Sequence, residues 1–204
     1  MFSDAFEICD SLQNQNYASP NSKLSSLKKS GIYYQVRHGR YETERDVPPY
    51  LLACSVYGPS YLSFEYALSV YGLIPERVTV YTSATTRKNR TKKFINIYGT
   101  YTYQDVPQAV YPHETVVKVV NGRGYLIATP EKALCDTLYK QKPVSSVKAL
   151  KQLLFENLRI DETEFAGLNR EALLFLCPLY RKKNLNFLYK MISATERRRH
   201  DERN

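Results

Sequence analysis

The chain has 204 residues and 43% hydrophobic composition, enough to bury a real core in one domain or two, which excludes a disordered tail protein. Its 29 Lys and Arg against 20 Asp and Glu give a formal charge of +9, favouring polyanionic partners such as nucleic acid or an acidic protein surface. Met1–Gln15 holds Asp4, Glu7 and Asp10 and no basic leader region, and the longest apolar run, Ala172–Cys177, is too short for a bilayer, so a cytoplasmic protein without membrane contact is expected.

Phe2, Phe6, Cys9 and Leu12 recur at spacings that place them on one face of a helix running to about Gln15. After the polar break Asn14–Tyr17, Ser19-Pro20 supplies an N-cap and a proline for the first turn of a second helix. Leu24 and Leu27 face inward, and Gly31 sits where a C-terminal cap belongs. That phase leaves Asn21, Ser22, Lys23, Ser25, Ser26, Lys28 and Lys29 outside, the short polar groups suited to base edges and the lysines to phosphates. The pattern then changes to period two in Ile32, Tyr34 and Val36; Arg37-His38-Gly39-Arg40 makes a tight basic turn, and Tyr41 opens a return strand. A polar helix followed by a glycine-centred basic hairpin is the layout of a winged helix-turn-helix, expected over residues 1–47 and closed by Pro48-Pro49.

Residues 48–204 are expected to form a larger mixed domain, which makes the fold class α+β with a helical C-terminal end. Leu51, Leu52 and Val56 start a helical region, and Ser63 is expected to cap a helix that Gly72 stops and Pro75 leaves. Strands are predicted at about 77–82, 93–98, 100–104, 115–120 and 125–128, with a turn at Asn121–Gly124. Thr129-Pro130-Glu131 caps a helix that turns Ala133, Leu134 and Leu138 inward, and helical periods continue through 147–158, 170–180 and 185–192. Within this domain Thr85–Lys93 is free of acids, and Arg87, Lys88, Arg90, Lys92 and Lys93 join the proposed DNA-contacting set. The run Arg197–Arg199 before Asp201 and Glu202 reads as a frayed tail.

The signals for an enzyme are weak. Glu131, Lys132 and Asp136 resemble the acid and lysine set of a metal nuclease, but adjacent residues at a capped helix start are expected to point apart and to serve the dipole and solvent. No G-x-x-x-x-G-K-[ST] occurs, and Gly122-Arg123-Gly124 lacks the third glycine and the following helix of a dinucleotide loop. Cys9, Cys54, Cys135 and Cys177 form no C-x-x-C pair and are expected as buried thiols. No catalytic residue, metal or cofactor is therefore expected.

Three segments carry a family resemblance: Leu27-Lys28-Lys29-Ser30-Gly31-Ile32 with Arg37-His38-Gly39-Arg40-Tyr41; Tyr61-Leu62-Ser63 through Ala67-Leu68 and Gly72-Leu73-Ile74-Pro75-Glu76; and Ile127-Ala128-Thr129-Pro130-Glu131-Lys132-Ala133-Leu134-Cys135-Asp136. In these the chain resembles the AbiEi-type antitoxins of bacterial type IV toxin–antitoxin (abortive infection) systems, also described as predicted regulators of viral defence. Thr129 stands where the family commonly has serine, which keeps the cap, and the chain is short for the family. The resemblance implies a transcriptional autorepressor whose winged helix binds inverted repeats in double-stranded DNA at its own promoter, and whose larger domain counteracts a nucleotidyltransferase-like toxin, with a direct complex left open. Two other readings use the same residues: an RNA-binding regulator stacking some of its 18 tyrosines on single strands, and a protein-interaction module with a degenerate winged helix. Salt dependence and a comparison of duplex DNA with single-stranded RNA separate them.

Overall fold

The computed structural model describes residues 2–111 and 113–201, with the side chains of Phe2 and of 195–201 outside the description. The N-terminal unit is β1 (Phe2–Asp4), α1 (Ala5–Asn14), α2 (Pro20–Lys29), β2 (Tyr34–Arg37) and β3 (Arg40–Glu42), its strands forming an antiparallel sheet in the order β1-β3-β2. Asp4 begins α1 with a reciprocal cap: its carboxylate accepts the Glu7 amide at 2.9 Å, and that of Glu7 accepts the Asp4 amide at 2.9 Å. This cap fixes the first turn at Ala5 and corrects the phase expected from Phe2. Phe2 belongs to β1, Phe6 is 79% exposed, and Ile8 and Leu12 turn inward onto Leu24 and Tyr41, with Cys9 at the margin. In α2, Pro20 occupies the first turn, the Ser19 hydroxyl donates to Ser22 Oγ instead of capping, and Gly31 follows the helix with a φ of +73° that a side chain would strain.

The larger unit opens with a short 3-10 turn, Pro49–Leu52, and runs through α3 (Ala53–Val56), β4 (Tyr61–Leu62), α4 (Phe64–Val70), β5 (Val80–Thr85), β6 (Lys92–Asn96), β7 (Gly99–Asp105), β8 (Thr115–Val120) and β9 (Arg123–Ala128). Its helical end comprises α5 (Pro130–Lys140), α6 (Val147–Gln152) with a π turn over Leu153–Asn157, α7 (Glu162–Ala166), α8 (Arg170–Leu179) and α9 (Lys183–Asp201). The fold class is α+β, as expected. The tail expected to fray is helical in its backbone to Asp201; the side chains of Arg197–Arg199 and all of Glu202 lie outside the described residues.

The six-stranded sheet has the order β6-β7-β5-β4-β9-β8. Two antiparallel hairpins, β6–β7 and β8–β9, flank it; β5 runs parallel to β7, and β4 joins the halves, antiparallel to β5 and parallel to β9. The strand expected at 77–82 lies at 80–85, because the parallel pairing that defines it begins with Val80 opposite Thr100. β4 and α7 were not expected. Two residues cannot display an alternation, so tertiary pairing alone defines β4; five cannot display a helical period, and α7 starts on a local cap, Asp161 accepting the amides of Thr163 and Glu164.

Two apolar clusters divide the chain. Ile8, Leu12, Leu24 and Tyr41 form the small one; the large one gathers Leu62, Phe64, Tyr101, Tyr103, Ile127, Leu134, Leu150, Leu176 and Leu188 with many neighbours, each such side chain contributing about 1.5–3 kcal/mol. Val36 and Val47 of the N-terminal segment join the large cluster, so the Pro48-Pro49 junction is a packed seam. Polar contacts add to it: Asn96 Nδ2 donates to the Val36 carbonyl (2.7 Å), Tyr98 Oη to that of Glu44 (2.7 Å), and Arg123 Nη2 to Glu42 Oε2 (2.6 Å). Among the described residues no helix is long and apolar enough to cross a membrane.

Candidate nucleic-acid interface

Helix α2 carries no acid along its length, and Asn21, Ser22, Ser25, Ser26 and Lys29 are exposed on it. The Ser25 hydroxyl donates back to the Asn21 carbonyl at 3.0 Å, which leaves its oxygen available as an acceptor. Lys28, expected as a phosphate contact, reaches toward the hairpin: Nζ donates to Gln35 Oε1 at 2.7 Å and lies 5.6 Å above the Tyr41 ring. It therefore ties α2 to β2. Lys23 Nζ sits 4.7 Å above the Tyr17 ring. In the hairpin turn, His38 is exposed and Arg40 pairs with Asp4 at 3.9 Å, both side chains well solvated, a contact of little energetic weight.

Arg37 points the other way. Its Nε is buried without a hydrogen-bond partner, and the residue lines a cleft of about 660 Å³ between the hairpin and β6, together with Gln35, His38, Phe94, Ile95 and Ile97. Behind the cleft, Tyr57 packs on Phe94 and Tyr103 with centroids 5.6 and 5.3 Å apart, and Lys88 Nζ lies 5.5 Å over the Tyr57 ring. Burial pushes the Tyr103 hydroxyl far up, and the nearby charge of Arg37 partly opposes it. Arg37 and Lys88 thus approach one aromatic cluster from two units, which no local pattern announces.

The basic segment 85–93 is built rather than slack. Asp105, at the end of β7, accepts the Thr85 hydroxyl at 2.6 Å through Oδ1 and the amides of Lys88 and Asn89 at 2.6 and 2.5 Å through Oδ2. These bonds hold Arg87 and Asn89 in left-handed conformations, with φ of +59° and +51°. Arg87 Nε donates to Gln108 Oε1 at 2.7 Å, and Arg90 is exposed. Lys92 and Lys93 lie in β6, where alternation sends them to opposite faces, Lys92 beside Tyr103 and Lys93 into solvent. The five bases therefore share a segment but not a face. Tyr98, Tyr101 and Tyr103, which follow this segment, are buried, and their hydroxyls donate to the carbonyls of Glu44, Pro49 and Ala53.

Glu131, Lys132 and Asp136 depart most from expectation. Lys132 does not face solvent: it is fully buried and its Nζ donates to the Val110 carbonyl at 2.8 Å and to Tyr180 Oη at 2.9 Å, 3.3 Å from Asp136 Oδ1. Asp136, also fully buried, accepts the hydroxyls of Tyr61 (3.0 Å), Ser63 (2.7 Å) and Tyr180 (2.6 Å). Glu131 is buried and accepts the Asn169 amide at 2.7 Å. The spacing of four on α5 puts Lys132 and Asp136 on one inward face, where packing beneath α8 and β4 overrides the preference of charge for water. The expected Ser63 cap gives way for the same reason: its hydroxyl serves Asp136, and α4 starts at Phe64 with a φ of +55°. Burial lowers the Lys132 pKa against the opposing pull of Asp136, and burial, reinforced by Asp136, raises those of Tyr61 and Tyr180.

Thr129 does cap α5, accepting the Lys132 amide at 3.3 Å. Of the cysteines expected to be buried, Cys135 and Cys177 are, whereas Cys9 and Cys54 are partly exposed. Among the described residues no group of three or more His, Cys, Asp or Glu side chains is placed to hold a metal ion. Comparison of the chain with models of known protein families and with curated proteins finds no match.

Proposed function

We propose that this chain is a non-enzymatic, sequence-specific DNA-binding repressor of the AbiEi antitoxin type, whose N-terminal unit is a winged helix-turn-helix. The observation that carries the reading is the sheet order β1-β3-β2 closing over two helices, with acid-free α2 directly before a basic hairpin turn. In that arrangement α2 takes the recognition position in the major groove and 37–40 forms the wing. Asn21, Ser22, Ser25 and Ser26 read base edges; Lys23, Lys29, His38 and Arg40 contact phosphate, with Lys28 and Arg37 fixing the helix and wing relative to each other and to β6. Arg87, Lys88, Arg90, Lys92 and Lys93 supply a second, sequence-independent basic region. The antitoxin part is supported by the way Tyr61-Leu62-Ser63 and Lys132 to Asp136, two of the segments that carry the resemblance, meet in one buried network. The larger unit counteracts a nucleotidyltransferase-like toxin encoded beside it.

The test is a titration of the full chain with its own promoter duplex, random duplex and single-stranded RNA over a range of salt. Preference for the promoter, with affinity falling about a thousandfold or more between roughly 50 and 200 mM salt, matches six or more phosphate contacts. Equal affinity for promoter and random duplex removes the reading. Co-expression with the neighbouring toxin tests the second half: the full chain restores growth.

A further inference from the structure

Strand β8, Thr115-Val116-Val117-Lys118-Val119-Val120, ends the six-stranded sheet: its inner edge pairs with β9, and among the described residues no strand pairs with its outer edge. The opposite edge strand, β6, faces β2 across the cleft and is partly screened by the bond from Asn96 to the Val36 carbonyl. Among the described residues no such contact screens the outer edge of β8. Val117 and Val119 are 66% and 65% exposed on one face beside Leu126 of β9, and Val116 is 39% exposed on the other. A regular, valine-rich edge with a single charge is a template for another strand.

We propose that β8 is a self-association surface, and that two copies of this chain pair along it, antiparallel, into one continuous sheet of twelve strands. A second copy fits because the strip is complementary to itself under a two-fold axis normal to the sheet. Directly opposed residues in an antiparallel pair share a face, so such a pair has two registers with five residues of overlap: Val117 on Val117, or Lys118 on Lys118. The second sets two lysines directly opposite each other, and the like charges disfavour it even with each ammonium resting 4.5 Å above Tyr71 of its own chain. The first places Lys118 opposite Val116 and Val119 opposite Thr115, and joins the exposed valines across the axis. A five-residue edge pairing is small against the ~1,600 Å² of a standard interface, so the dimer is weak and concentration-dependent. The pairing does not depend on DNA binding; where both hold, the axis sets the two α2 helices in the relation that inverted half-sites have.

The experiment is sedimentation equilibrium of the full chain without DNA from about 10 to 500 µM, the span of weak interfaces. The weight-average mass is expected to climb from one chain toward two, and Val117→Lys and Val119→Lys, both solvent-facing changes that keep the native circular dichroism, are expected to hold it at one. Under mild oxidation, with the parent chain as background, Val117→Cys gives a covalent dimer and Lys118→Cys does not. A monomeric mass at every concentration overturns the proposal, as does a dimer that both lysine variants leave intact. Efficient cross-linking at 118 but not at 117 overturns the register and with it the argument from charge.

Discussion

Glu42 and Arg123, 81 positions apart, meet at 2.6 Å, and the Glu42 carboxylate is sealed from solvent. The contact fastens the last strand of the N-terminal unit to the β8–β9 hairpin. Burial pushes the Glu42 pKa up, but the hydrogen bonds that the carboxylate accepts, those of Arg123 and of the Thr43 and Glu44 amides among them, together hold it below its ordinary 4.5. Because the native pKa is depressed, the stabilisation is present above about pH 4.5 and is lost as pH falls through the native value. Arg123→Ala, which takes the guanidinium bond away from a buried carboxylate, is expected to cost about 2–3 kcal/mol at pH 7 in urea titrations. The deficit should shrink below pH 4, and a pH-independent deficit would contradict the ionic account.

Lys132 and Asp136 compensate each other inside the core, so neither tolerates loss of the other. Lys132→Met and Asp136→Asn are each expected to destabilise by about 3–5 kcal/mol, and the double variant by about 2 kcal/mol less than the sum. Simple additivity in a double-mutant cycle would mean that the two groups act separately through Tyr61, Ser63 and Tyr180.

The tyrosines predict the alkaline limb of stability. Burial lifts Tyr98 and Tyr111 to about 12, with further contributions at Tyr98 from Glu42 and at Tyr111 from Cys54, and it drives Tyr61, Tyr66, Tyr101, Tyr103 and Tyr180 upward as well. Groups whose native pKa is raised stabilise fully below the unfolded value near 10 and lose that contribution as pH climbs toward the native one. Absorbance at 295 nm should therefore show the ionisation of these buried tyrosines delayed into a cooperative step that coincides with loss of circular dichroism. A single smooth titration of all 18 with the fold intact would contradict the burial.

Asp105 is expected to act as a positioning residue for the basic segment. Asp105→Ala removes the acceptor of Thr85, Lys88 and Asn89 and should cost about 1–3 kcal/mol, with the Lys88 and Asn89 amides gaining hydrogen exchange. If this segment touches DNA, the same variant weakens binding to promoter and random duplex alike, whereas Ser22→Ala and Ser26→Ala change the preferred sequence. Lys29→Ala should lower the salt slope by about one. Unchanged exchange at Lys88 and Asn89 in Asp105→Ala would rule out the positioning role.

The N-terminal helices, the hairpin and most of the longer elements were legible because their signals are local: Pro20 and Gly31 bracket α2, and Thr129-Pro130 opens α5. What escaped depends on partners remote in sequence. Nothing near Asp105 shows that it folds back on Lys88 and Asn89, and nothing in Lys132 alone shows that Tyr180 and the Val110 carbonyl enclose it. The misplaced stripe from Phe2 to Leu12 is a local error of another kind: four apolar residues fit a helical period, but the Asp4–Glu7 cap starts the helix later and gives its inner face to Ile8.

The two residues of β4 have a mechanical consequence. Among the described residues Tyr61 and Leu62 carry the only strand pairing between β6-β7-β5 and β9-β8, so the sheet has a narrow waist at its midpoint. What keeps the waist shut is the buried anchor at its flank, where Tyr61 and Ser63 reach Asp136. Loosening that anchor should let the sheet hinge open as two rigid leaves before either leaf frays, and native-state hydrogen exchange would register it as one sub-global opening shared by the β4 amides and their partners at Ser83, Ala84 and Ile127.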